Sequence, residues 1–270
     1  ALILGSTSIA QALEVDVAPT TPQLGDTISI LLKPENPETT PTVTVEEQEY
    51  PVFPMENGYR ALIPTSPLDE PGKVTVKIEG DGETRNIGVW VKNRTFPTQR
   101  IRLTGKANSS ATQTEIDKVA AFRQLVTPEK LWEGEFVRPN QARVSTEFGV
   151  RRYYNDVFAE NYYHRGVDYA GAEGSVVVAP AAGRVKLVGK EAEGFKVHGN
   201  TIGIDHGQGV LSLFLHLKDI NVQEGDMVKA GQPIGTVGAT GASTGPHLHW
   251  GLYVHGVAVS PVPWRFSIID

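Results

Sequence analysis

The stretch Ser243-Thr244-Gly245-Pro246-His247-Leu248-His249-Trp250-Gly251-Leu252-Tyr253-Val254-His255-Gly256 sets two histidines one residue apart, directly after a Gly-Pro turn signal. The apolar residues that follow read as a strand. In a strand, residues i and i+2 project from one face, so His247 and His249 share a side and Trp250 turns the other way, toward a core. Imidazole is a poor choice for ordinary core packing. A His-x-His pair on one face therefore points to a ligand, a base, or both.

Working outward, all seven histidines lie between His164 and His255. Two more pieces accompany the pair: Tyr163-His164-Arg165-Gly166-Val167-Asp168 and Phe214-Leu215-His216-Leu217. The chain has no cysteine, which excludes disulfides, thiolate ligands and a cysteine nucleophile. Any metal site must use His, Asp or Glu. Zinc accepts nitrogen and carboxylate ligands in a tetrahedron, and a catalytic site keeps one position open. His164, Asp168 and one histidine of the His-x-His pair would supply three ligands. The remaining histidines are expected elsewhere: His206 in a structural turn, His198 and His255 facing solvent. Asp205 and Asp226 read as turn residues. Gly241-Ala242-Ser243-Thr244-Gly245 matches the elbow of serine hydrolases, but that motif should open a helix. Here Pro246 and the histidine strand follow, so a turn at a cleft rim is expected.

The fold class is mainly β. From residue 140 to 270, short strands are expected at Val176–Val178, Gly183–Val188, Thr201–Ile204, Gly209–Leu215, Met227–Val228 and Leu248–Val254, forming a glycine-rich antiparallel sheet without a strong helix. Residues 13–93 show alternating runs at Thr27–Leu32, Thr42–Val45, Tyr59–Ile63, Val74–Ile78 and Asn86–Val91 between turn signals such as Leu24-Gly25-Asp26 and Gly80-Asp81-Gly82-Glu83. That spacing predicts an immunoglobulin-like β-sandwich. Residues 94–139 form a connector. In it Thr112-Gln113-Thr114-Glu115 is a capping box, followed by Ile116, Val119, Ala120, Phe122 and Val126 at helical spacing, with Pro128 ending the run. This amphipathic helix reads as a strut and not as part of a site.

With 270 residues the chain has room for roughly two domains. A net charge of −6 without a basic stripe argues against nucleic acid as a partner. Residues 1–12 read as the remnant of a signal peptide, with Ala10-Gln11-Ala12 in the A-x-A cleavage pattern. No apolar run is long enough to span a membrane. Export to the periplasm or cell envelope is the expectation.

Residues 140–262 also resemble the lysostaphin-type zinc metallopeptidases, bacterial enzymes that cut peptidoglycan cross-links. The resemblance runs in order through Ser145-Thr146-Glu147-Phe148-Gly149-Val150-Arg151, His164-Arg165-Gly166-Val167-Asp168-Tyr169-Ala170-Gly171, Val178-Ala179-Pro180-Ala181-Ala182-Gly183-Arg184-Val185 and Gly199-Asn200-Thr201-Ile202-Gly203-Ile204-Asp205-His206-Gly207. It closes with Glu224-Gly225-Asp226-Met227-Val228-Lys229-Ala230-Gly231-Gln232-Pro233-Ile234-Gly235 and Thr240 to His249. It implies one Zn2+ per chain, held by His164, Asp168 and His249. It also implies that His216 and His247 stay off the metal and act as catalytic residues on the water and the transition state. The implied substrate is the stem peptides of peptidoglycan, with an envelope regulator as a further partner. In one departure, Phe214-Leu215-His216-Leu217 stands where the family often has Tyr-Ala-His-Leu, which puts a tyrosine hydroxyl there in doubt. Tyr153, Tyr154, Tyr162 and Tyr163 are expected either to line the cleft or to pack. A catalytically silent module of the same fold that docks on or activates a wall hydrolase is the alternative; it predicts a missing ligand. A lipoyl-like carrier, suggested by Glu224 to Gly235, would not require the histidine set.

Overall fold

The structure is a computed structural model that describes residues 13–36, 38–105, 109–267 and 269. The expected signal remnant, residues 1–12, lies outside them. The fold is mainly β.

The strands of the N-terminal part are β1 (Glu14–Ala18), β2 (Thr27–Lys33), β3 (Thr42–Val45), β4 (Gln48–Tyr50), β5 (Val52–Met55), β6 (Gly58–Pro64), β7 (Gly72–Gly80) and β8 (Glu83–Val91). They form two four-stranded sheets, ordered β1-β2-β6-β5 and β4-β3-β7-β8, with every pairing antiparallel. Ile28, Ile30 and Leu32 from one sheet share a buried cluster with Val43, Val76 and Ile78 from the other. The period-two alternation puts these residues on facing surfaces. β2 and β6 are buried on their second face too, at Thr27, Ser29 and Arg60, because that face docks on the C-terminal part. Trp264 Nε1 donates to Thr27 Oγ1 at 3.3 Å, and Arg60 Nη1 donates to the Ile269 carbonyl at 3.1 Å with its guanidinium 4.9 Å over the Trp132 ring.

This docking corrects the expectation for His255. Its ring is stacked 6.4 Å from Phe53 and edge-on 6.1 Å from Tyr50, and both ring nitrogens are buried with no hydrogen-bond partner among the described residues. The sandwich covers the turn that carries it.

The connector supplies β9 (Thr98–Ile101) and α1 (Gln113–Arg123). Thr112 Oγ1 accepts from the Glu115 N–H at 3.2 Å and the Glu115 carboxylate accepts from the Thr112 N–H at 3.4 Å, the reciprocal pair of a capping box. Val119 and Phe122 are buried, but Ile116 and Val126 are 48% and 42% exposed. The buried stripe is thus narrower than the apolar spacing, and the helix stops at Arg123, before Val126.

The remaining strands are β10 (Val144–Thr146), β11 (Arg151–Tyr154), β12 (Val157–Phe158), β13 (Val167–Tyr169), β14 (Val176–Val178), β15 (Gly183–Gly189), β16 (Asn200–Gly207), β17 (Val210–Ile220), β18 (Met227–Val228), β19 (Pro233–Val237), β20 (Leu248–Val254) and β21 (Val257–Val259). One sheet runs β10-β13-β20-β17-β16-β15-β18; the β14-β19 pair joins it at β17, and β21 joins at β20. β11 pairs antiparallel with β12 and parallel with β9. The connector is therefore woven into the C-terminal part rather than only leading to it. Trp250, as expected, is fully buried, and its Nε1 donates to Ser212 Oγ at 3.1 Å.

Candidate active site

Strand register assembles the site. Asp168 on β13 pairs directly with His249 on β20, and residues directly opposite in an antiparallel pair put neighbouring side chains on one face. His164 precedes β13 and must curl back over this pair, which requires close backbone approach at Gly166. A Cβ on Gly166 would lie 2.4 Å from the Trp250 carbonyl oxygen, so only glycine fits. The result is a buried cluster: His164 Nε2 is 3.0 Å from Asp168 Oδ1, His249 Nδ1 is 2.8 Å from the same oxygen, and the two ring nitrogens are 3.1 Å apart.

His216 reaches the same face by a different device. Leu215 pairs with His249 across β17 and β20, so plain alternation would turn its neighbour His216 away. Instead His216 takes φ +64°, the left-handed region, beside a register shift in β17. Such a conformation in a non-glycine residue costs on the order of 1–3 kcal/mol and is held by its surroundings. It swings the ring to a centroid distance of 4.8 Å from that of His247. His247, one residue ahead of β20, is bridged to Gly238 and has Nε2 4.0 Å from Asp168 Oδ1.

Hydrogen bonding fixes the tautomers. His164 Nδ1 is 2.8 Å from the Glu147 carbonyl, His216 Nδ1 is 2.8 Å from the Thr240 carbonyl and His247 Nδ1 is 2.9 Å from the Gly245 carbonyl. A carbonyl only accepts, so each Nδ1 carries a proton and Nε2 is the ring nitrogen left for the cluster. Burial, with a smaller contribution from neighbouring His247, pushes His216 down to about 3, and burial pushes His249 down to about 4. Both rings are neutral at pH 7. Burial opposes ionisation of Asp168, but His164 and His249 outweigh it and hold the carboxyl well below the usual carboxylate range.

This donor set suits a zinc ion. His164, Asp168 and His249 offer ligand atoms within 4.8 Å of one another. Their separations of 2.8–3.1 Å are close to about 3.3 Å, which tetrahedral geometry gives to ligands roughly 2.0–2.1 Å from the ion. The carbonyl behind His164 is the outer support that metal-binding imidazoles usually have.

The cluster opens into a cleft of about 740 Å³. Tyr154 and Tyr162 line it, whereas Tyr163 is buried with its hydroxyl on the Ala258 carbonyl and Tyr153 packs on Phe158. Ala242, Thr244 and Gly245 form part of the lining, as expected for a rim turn, and Ser243 Oγ donates to the Gly245 carbonyl at 2.7 Å. His206 is structural, with Nδ1 2.8 Å from the Ala182 carbonyl and Nε2 2.8 Å from Ser212 Oγ; it sits within β16 rather than in a turn. Asp205 is also in β16, and Asp226 caps a turn at Gln223.

Two expectations need correction. His198 is not a free surface residue: it lines the cleft, and its Nδ1 is 2.6 Å from Glu115 Oε1. The helix is not only a strut. The Glu115 carboxylate, fully buried, also accepts from the backbone N–H groups of Lys196, Val197 and His198 at 2.9, 3.0 and 2.6 Å. Burial would raise this carboxyl, but the His198 ring and these donors hold it below its ordinary range. The clamped loop then accepts the His216 N–H on the His198 carbonyl at 2.9 Å, so α1 supports the strained histidine.

Arg152 was not singled out from sequence, yet it lines the cleft with Nη2 3.7 Å from Asp168 Oδ2. Two consecutive arginines on a strand must face opposite ways; the Arg151-Arg152 doublet was the available signal. Gln99, Ile101 and Leu103 of the connector also line the cleft, and nothing in their local sequence marks them.

Residues 162–261 match the family described as Peptidase family M23. The chain is 38% identical over 120 residues to the DD-carboxypeptidase/endopeptidase Mpg of Neisseria meningitidis, covering 44% of this chain and 26% of that protein. It is 34% identical over 136 residues to the murein hydrolase activator NlpD of Escherichia coli, covering 50% of this chain and 31% of that one. It thus spans about a quarter to a third of the length of these relatives. A Pseudomonas aeruginosa crystal structure ascribed to peptidase M23 superposes with a TM-score of 0.69 at 24% identity, covering 92% of this chain and 96% of that one, a likeness of fold that includes the N-terminal part. Residues 162–261 thus form a domain of peptidase family M23, the lysostaphin type.

Proposed function

We propose that this chain is an exported zinc-dependent endopeptidase that hydrolyses peptide cross-links of bacterial peptidoglycan. The observation that carries the reading is the convergence of His164, Asp168 and His249 beside two further histidines whose Nε2 atoms face the same cleft. In this reading residues 13–93 are an immunoglobulin-like domain, 94–139 a connector and 140–270 the peptidase domain. The N-terminal domain positions the enzyme or restricts access to its cleft. No helix among the described residues is long and apolar enough to cross a membrane.

His164, Asp168 and His249 would hold the zinc, which when bound acidifies water and polarises the scissile carbonyl. His216 and His247 do the proton work. Each has its Nδ1–H tied to a carbonyl and Nε2 left for the cleft, so each could accept a proton from the attacking water at Nε2 or, once protonated there, hydrogen-bond the developing oxyanion and pass the proton to the leaving amine. Their carbonyl partners fix ring orientation before substrate arrives.

The bond we favour is the D-alanyl to diaminopimelyl cross-link. Support comes from the similarity to a relative named as a DD-carboxypeptidase/endopeptidase. The likeness to the activator NlpD favours a second reading, a silent module that activates another hydrolase. All three ligand positions being filled weighs against it. Digestion of defined cross-linked muropeptides by the full zinc-loaded chain, read by mass spectrometry, decides between them. Release of monomers with a new D-alanyl carboxylate is expected. A zinc-loaded chain that leaves every cross-link intact would favour the activator.

A further inference from the structure

The chain carries a net charge of −6, but its cleft has the opposite character. Arg123, Arg152 and Arg165 line it, and Asp168 is the one carboxylate among its described lining residues. The arginines are not scattered. Arg152 Nη2 stands 3.7 Å from Asp168 Oδ2, and its Nη1 donates to the Tyr162 hydroxyl at 3.3 Å. The Arg165 guanidinium lies 5.8 Å from the Tyr162 ring, and that of Arg123 lies 5.3 Å from the Tyr253 ring. Arg152, Tyr162, Arg165, Tyr253 and Arg123 all border the same cavity. Together they make a cationic band from the metal ligand Asp168 to helix α1. Neither Arg123 nor Arg165 has an ion-pair partner among the described residues.

Arg123 is fixed further by Nη2 donation to the Gly256 carbonyl at 3.4 Å, and a guanidinium held on an aromatic face can offer its remaining N–H groups to a carboxylate. Positive charge concentrated in a walled cleft also focuses the field on an anionic ligand. We propose that this arginine–tyrosine band is a binding site for the free carboxylates of an acidic peptide, so that the cleft prefers cross-links whose diaminopimelyl carboxylate is free over those in which it is amidated. The inference rests on the peptidase reading and names the chemistry its substrate must carry.

The test uses two cross-linked muropeptides that differ only in amidation of the diaminopimelyl carboxylate. Binding of each is measured by calorimetry on the zinc-loaded full chain carrying His247→Ala, so that turnover does not interfere. Cleavage by the unsubstituted chain is followed in parallel. The carboxylate form should bind about tenfold more tightly, the scale of one charge-assisted contact, and Arg123→Gln with Arg165→Gln should reduce that preference to about twofold or less. Raising salt should erode the preference without any substitution, since it screens exposed charge; this arm stands even if the double variant does not fold. Equal affinity for the two muropeptides, insensitive to salt, overturns the proposal. A binding preference without cleavage supports the band while removing the peptidase reading, and cleavage without a preference does the reverse.

Discussion

His206 on β16 and the histidines of the cleft are buried in the same sheet region, yet their ring nitrogens are used differently. His206 bonds both of them inside the fold, to the Ala182 carbonyl and to Ser212 Oγ. His164, His216 and His247 bond Nδ1 to a carbonyl, while Nε2 of His164 lies against Asp168 and His249 and the second nitrogens of His216 and His247 are left to the cleft. Burying a polar atom without a partner is costly, so rings whose second nitrogens crowd one carboxylate or are left without a carbonyl partner at one cleft mark a place where something else is to bind. Burial alone does not separate these groups: His206 is 0% exposed and His164 2%. The destination of the second nitrogen does.

The strongest way to break the comparison is to remove a histidine that touches both other members of the cluster. His249→Ala should abolish zinc retention and cleavage together; the charge stabilisation lost is several kcal/mol, on the order of a thousandfold in rate. Metal analysis and muropeptide digestion on the same sample check it. His247→Ala should keep the ion and lose about 10²- to 10⁴-fold in kcat, the range for general acid–base groups. An apo-protein from that change would contradict the division of labour. His206→Ala should act in the opposite sense, retaining zinc while lowering unfolding free energy by about 2–3 kcal/mol, because the Ala182 carbonyl loses its ring partner, Ser212 Oγ keeps only Trp250 Nε1, and a cavity opens. Denaturant titration and zinc content separate the two effects.

The smallest effect concerns pH. Burial pushes His206 and His255 each down to about 4 from an ordinary value of 6.5. Between those limits the unfolded chain binds more protons than the folded one, so stability is fully present above about pH 6.5, falls as pH drops and levels off below about pH 4. The zinc-free chain should lose stability over that window, with His216 and His249 contributing in the same direction. Chemical denaturation at three pH values would show it, and stability that rises on acidification would contradict it.

The sequence was most legible where chemistry and strand period coincide. His-x-His after Gly-Pro, His-x-x-x-Asp and the isolated His216 are local signals, and the structure brings all five residues to one cleft. The alternating and β-branched runs appear as strands, whereas β11, β12 and β13, two to four residues long, carry charged and aromatic residues with no clear apolar alternation. What stayed hidden depends on distant contacts. His198 meets Glu115 across 83 positions, and His255 meets Tyr50 and Phe53 only because the sandwich docks on its turn. Glu115 was visible as a capping residue, but its second task as a loop clamp is a tertiary property. The positive φ of His216 leaves no trace in the residue type.

The central claim is that His164, Asp168 and His249 hold a single zinc. X-ray absorption at the zinc edge, on the full chain loaded to stoichiometry, tests it most directly. The account predicts one zinc per chain with two imidazoles and oxygen ligands at about 2.0–2.2 Å, and loss of that ion in His249→Ala. A His249→Ala chain that keeps one zinc with an unchanged two-imidazole shell would contradict it.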